Sequence, residues 1–148
     1  MTEMLIICLS GAVGAITFGV LYHVNPRHLL LAFMGGLLTT TTLVLCMEWC
    51  GGNNIISNAA AAFIGGVFST WCAHKRHAPV PVFMIPSLFP LVPGRALYYS
   101  MSALVLHESE QFASNFLAAA EISFGIAVGM LFAGVFCDVF LGIRNMRK

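Results

Sequence analysis

Charge is scarce in this sequence. Only 9% of its 148 residues are Asp, Glu, Lys or Arg, and the formal net charge is +1, whereas soluble domains carry about 25% charged residues. So little charge of either sign offers no surface for a polyanion, which excludes nucleic acid as a partner. Catalytic signatures are missing as well: there is no HExxH, no nucleophile elbow and no phosphate loop. An enzyme is therefore not expected, and neither is a nucleotide or other cofactor. The five cysteines, Cys8, Cys46, Cys50, Cys72 and Cys137, are odd in number and contain no C-x-x-C, so neither a disulfide framework nor a zinc site follows. His74 and His77 have a ligand-like spacing beside Lys75 and Arg76. No third ligand lies near them in sequence, and no metal is expected.

What the chain has instead is apolar length. It is 59% hydrophobic with a mean hydropathy of +0.88, more apolar surface than a soluble fold of this size could bury. Cut at its charges and turn formers, it gives five stretches: 4–24, 29–47, 55–73, 80–106 and 112–143. Three are close to the roughly 20 residues of a spanning helix, and the last two are longer. The expectation is an all-α membrane protein in which residues 1–148 form a single transmembrane domain of five transmembrane helices. Asn25-Pro26 reads as an N-cap with proline at the first helical position, and Gly51-Gly52-Asn53-Asn54 as the turn before the third span. Glu3 and the length of the first run argue against a cleaved signal.

Loop charges supply an orientation. With five spans, Arg27, then Lys75 and Arg76, then Arg144, Arg147 and Lys148 fall on one side, while Glu3, Glu48, Glu108 and Glu110 fall on the other. Basic residues at span ends stay cytoplasmic, so the N-terminus is expected outside and the C-terminus inside.

The fourth stretch carries the sharpest signal, because Pro86, Pro90, Pro93 and Gly94 interrupt a membrane-length run. Proline removes a backbone donor and clashes with the preceding turn. Broken spans are the usual pointer to a translocation site. The expectation is unwound chain from about Pro86 to Pro93 and a new helix from Gly94, whose free amides and positive dipole end would receive a substrate carboxylate. Pro86, Pro90, Pro93 and Gly94 would shape this substrate-binding site, Arg95 would add charge, and Tyr98 and Tyr99 would donate hydroxyls. Thr39, Thr40, Thr41 and Thr42 offer further hydroxyls, with back-bonding to helix carbonyls as their ordinary role.

Three ionisable residues lie well inside the stretches: Arg95, Glu121 and Asp138. Such residues usually face protein and have partners. Asp138 is expected at the interface, paired with a basic residue such as Arg144. Arg95 and Glu121 admit two readings: an ion pair clamping the fourth span to the fifth, or a substrate-binding cation with a proton-titrating carboxylate. Small residues recur at four-residue spacing, as in Gly65/Ser69 and Gly125/Gly129. They serve either packing within the bundle or association with another chain.

Phe89-Pro90-Leu91-Val92-Pro93-Gly94 followed by Tyr98 and Met101, after the earlier Tyr22-His23-Val24-Asn25-Pro26-Arg27, resembles the threonine/serine exporter family. The Asn54-Ile55 and Asn115-Phe116-Leu117 segments extend the likeness over nearly the whole chain, and it is nearest to the small membrane subunit of the split, two-component members. The resemblance implies half of a secondary-active exporter in a bacterial inner membrane. It would move a small carboxylate-bearing metabolite, an amino acid such as threonine or serine or a dicarboxylate such as succinate. It also implies a larger exporter-family membrane subunit as partner; membrane lipids surround the chain, and the small-residue faces leave self-association into a homo-oligomer as a further arrangement. In that family small or apolar residues commonly stand where Arg95 and Glu121 stand here. The alternative is a non-transporting membrane scaffold or assembly subunit.

Overall fold

Pro26 opens the second helix, and Asn53 opens the third by accepting the amides of Ile55 and Ile56 on its side-chain oxygen at 3.1 and 3.2 Å. The computed structural model describes residues 2–140. They form α1 (Thr2–Leu21), α2 (Pro26–Trp49), α3 (Asn54–Arg76), α4 (Pro81–Leu88), a 3₁₀ turn (Phe89–Leu91), α5 (Gly94–Val105) and α6 (Ser109–Phe140), with no strand among the described residues. Three helices, over His28–Trp49, Asn54–Arg76 and Ser109–Val139, are long and apolar enough to cross a membrane, and Ile6–Leu21 and Pro81–Leu91 are shorter apolar segments.

Helix ends differ from the expected boundaries for a local reason. α1 stops at Leu21 because His23 is left-handed, at φ 53°. Its amide reaches the Val20 carbonyl and that of Val24 the Gly19 carbonyl, at 3.0 and 2.9 Å. This reciprocal pair is the Schellman closure. The same two bonds recur at His77 and Ala78 after α3 and at His107 and Glu108 after α5, with φ 51° and 59° at the histidines. Gly51 and Gly52 take the positive φ of the α2–α3 turn, at 64° and 81°, at no steric cost.

Packing is inside out by soluble standards. The buried positions are small, among them Ala12, Ala15, Ala32, Ala61 and Ala62, while Leu30, Leu131, Phe132 and Val135 are all more than 60% exposed. Apolar side chains turned outward in this number call for lipid as the solvent.

Glycines set the close approaches. A Cβ on Gly11 would collide with Thr40, one on Gly36 with Ala15, one on Gly65 with Thr39, and one on Gly35 with Ser87. α1 is thereby antiparallel to α2, and α2 to α3. Against α3, α6 runs parallel: Asn54 meets Glu121, Gly125 faces Ile55, Gly129 faces Ala59 and Ala62, and Ala133 faces Gly66. The chain must therefore travel back along α3 between these helices, and α4, the 3₁₀ turn and α5 make that return. α4 starts beside the end of α3, with Phe83 against Cys72 and Ala73, and Leu88 and Leu91 reach Ala61 and Ala62. α5 continues onward and packs on α6. The stretch of α6 before Glu121 lies ahead of the first turn of α3. That is about 18 Å of helix at 1.5 Å per residue.

The small-residue faces thus resolve as packing within the chain. Gly65 is filled by Thr39 and Leu88, and Gly125 and Gly129 are pressed onto the α3 backbone. Association through these faces, one of the two expectations, is corrected: they have no free surface to offer another chain.

Candidate functional site

Only Val92 and Pro93 stand outside helix between Pro81 and Val105. The expected unwinding from Pro86 to Pro93 is therefore corrected to a much shorter break. Pro86 sits inside α4, where it forfeits one bond, and Pro90 stands in the first turn of the 3₁₀ segment, where a missing amide costs little. Val92 is extended, with φ −59° and ψ 128°, as expected for a residue before proline.

The backbone at the break is covered by a neighbouring helix. A 3₁₀ turn would give the Ser87 carbonyl the amide of residue 90, and residue 90 is proline. The Thr39 hydroxyl of α2 supplies the missing donor at 2.8 Å, its single proton also lying within reach of the Gly36 carbonyl at 3.0 Å. Thr40, Thr41 and Thr42 bond back to Gly36, Leu37 and Leu38 at 2.8, 2.7 and 2.8 Å, so their ordinary role prevails. Phe89 stacks on Phe18 of α1.

α5 begins with Pro93 at the N-cap position, where no side chain caps the helix. Gly94 is exposed and a Cβ there would meet nothing within 4 Å. Arg95, Tyr98 and Tyr99 follow on exposed surface. The Arg95 guanidinium lies 5.7 Å from the centre of the Tyr99 ring, which meets Tyr98 edge-on at 5.6 Å. A cation, two phenols and an uncapped helix start therefore share one open face, a set of donors suited to a carboxylate.

Two expected members lie elsewhere. Pro86 is fully buried and helps line a cavity of about 140 Å³ with Tyr22, Val24, Pro81, Val82 and Ile85. Glu121 accepts from the Asn54 side-chain amide at 3.2 Å. Among the described residues it makes no ion pair with Arg95, whose guanidinium lies by the Tyr99 ring. Asp138 is exposed near the end of α6, and its expected partner Arg144 lies outside the described residues.

Sequence reading missed Ser87, Thr39 as its partner, and Asn54 as the partner of Glu121. The hydroxyls of Ser87, Ser69 and Ser57 are buried without a hydrogen-bond partner. Only the position of Ser87, between two prolines, could have flagged it. Among the described residues no three His, Cys, Asp or Glu side chains gather to hold a metal ion.

No curated protein and no solved structure matches the chain. The profile of one family, described as Threonine/Serine exporter, ThrE, matches residues 7–136. With nearly the whole chain matched, including the broken helix, its uncapped restart and the α3–α6 packing that holds Glu121, this protein belongs to the threonine/serine exporter family of membrane transport proteins.

Proposed function

We propose that this chain is the small subunit of a secondary-active exporter for a small carboxylate-bearing metabolite, an amino acid such as threonine or serine or a dicarboxylate such as succinate. It acts with a larger exporter-family membrane subunit in a bacterial inner membrane. The observation that carries the proposal is the helix restart at Gly94. There an uncapped N-terminus, the Arg95 guanidinium and the Tyr98 and Tyr99 phenols lie on one face that none of the described residues covers. An open face of this chemistry is half of a binding site. The partner subunit closes it, and the substrate carboxylate docks at the start of α5.

The path of the chain supports five crossings within one transmembrane domain. Parallel α3 and α6 need one return between them, so α4, the 3₁₀ turn and α5 act as a single crossing broken near its middle. Lys75 and Arg76 close α3 at the end where α2 begins, and Glu48 lies at the opposite end of α2. This separation supports an outside N-terminus and a cytoplasmic C-terminus.

The test is substrate flux from vesicles holding this chain with its larger partner, with the partner alone, and with this chain alone. Export only when both are present, reduced at least tenfold by Arg95→Ala for an anionic substrate, is the expected result. Unchanged flux without this chain would assign it the scaffold role. Cysteines placed at positions 53 and 109 should label from outside and one at 76 from the cytoplasm. Labelling of all three from one side contradicts five crossings.

A further inference from the structure

α2, α3 and α6 leave an open groove of about 360 Å³ whose lining is wholly apolar. Leu38 of α2 and Phe136 of α6 form its walls, and Phe63, Val67 and Trp71 of α3 lie along its floor. These floor residues are spaced by four, so they form one row on the helix surface. The next residue in that row is Lys75. Its ammonium is 4.9 Å from the centre of the Trp71 ring, which holds it at the mouth of the groove. Arg76, His74 and His77 are exposed at the same helix end. Asp138 is two residues beyond Phe136, about 200° around α6 from the groove wall.

We infer that the groove is a site for an anionic diacyl phospholipid, with an acyl chain between Leu38 and Phe136 and the phosphate at Lys75 and Arg76. A dry trough ending in a Trp ring and two permanent cations matches the two halves of such a lipid in order and polarity. A helix from another protein would find no small residue on this floor to let its backbone approach closely, as helices that associate in lipid do. The inference rests on the reading of α3 as a membrane crossing.

The experiment uses the full chain with Trp49→Phe, which leaves Trp71 as its one tryptophan, in vesicles of neutral phosphatidylcholine. Phosphatidylcholine or phosphatidylglycerol brominated in the acyl chain is titrated in, and quenching of Trp71 is read. Quenching by both lipids, with a relative affinity about fivefold or more in favour of the anionic one, is the expected result. Lys75→Gln with Arg76→Gln, both at exposed positions, should bring the ratio close to one. Equal quenching in the unmodified pair overturns the headgroup assignment while leaving the membrane reading in place. Absence of quenching by either lipid shows that protein covers the groove or that α3 lies outside the bilayer, and overturns the proposal as a whole. Relief of quenching by glycerol phosphate would assign the cations to a free phosphate rather than a lipid, and would also overturn it.

Discussion

The hydroxyl of Thr39 lies 2.8 Å from the carbonyl oxygen of Ser87 and replaces the donor that Pro90 cannot provide. Leaving a buried carbonyl unsatisfied costs about 1–3 kcal/mol. Thr39→Val keeps the shape of the side chain and removes the donor. It should lower stability by about that amount in an unfolding titration in detergent, whereas Thr39→Ser should stay within about 0.5 kcal/mol. Equal stability of the valine variant would show that the Ser87 carbonyl has another donor.

Gly129 and Gly134 make a controlled pair on α6. A side chain at Gly129 would run into the Ala59 carbonyl, whereas one at Gly134 has open space. Overpacking against backbone costs about 1–3 kcal/mol or more. Gly129→Leu should therefore be lost from the folded fraction in size-exclusion chromatography even with this chain alone. Gly134→Leu should fold normally, and any loss of export in it marks a contact made by another chain.

Arg95 and Glu121 should behave independently. Glu121→Leu removes the acceptor of the Asn54 amide and should cost about 1 kcal/mol, while Glu121→Gln, which keeps an acceptor oxygen, should cost less. Because Arg95 shares no partner with Glu121, the effects of Arg95→Ala and Glu121→Leu on stability should add within about 0.5 kcal/mol. A coupling of 2 kcal/mol or more in that double-mutant cycle would support the clamp (a buried pair loses about 3–5 kcal/mol when one partner is removed).

His77 occupies a left-handed position with φ 51°. Glycine there saves about 1–2 kcal/mol of steric cost and gives back about 0.4–1 kcal/mol through a freer unfolded chain. His77→Gly should therefore stabilise the protein by about 0.5 kcal/mol, and His77→Val should destabilise it. A stabilising valine, read by the same unfolding titration, would contradict the left-handed assignment.

The helices were legible because hydropathy, Asn53, Pro26 and the paired glycines each act locally. What escaped was pairwise. Pro86 and Pro90 look equally disruptive in a sequence, yet one is tolerated inside α4 and the other at the head of a short turn, since the cost depends on which carbonyls neighbours can satisfy. Glu121 reads as a lone acid in an apolar run, and its partner Asn54 is distant in sequence. The spacing of Gly125 and Gly129 is the same whether the facing helix belongs to this chain or another. Periodicity reveals a face and leaves its occupant open. Of the candidate site, Arg95, Tyr98 and Tyr99 were legible as a group because one helix carries them all. Pro86 was misplaced beside them because the chain turns between it and Gly94.

The parallel docking of α6 on α3 also fixes an order of events during synthesis. The small face of α3 at Ala59, Ala62 and Gly66 is complete long before the helix that covers it has left the ribosome. Until then the nascent chain carries an open seam, sealed only when the segment from Gly125 onward arrives. A chain truncated before Gly125 should therefore expose that seam to the quality-control machinery that recognises unpaired membrane helices.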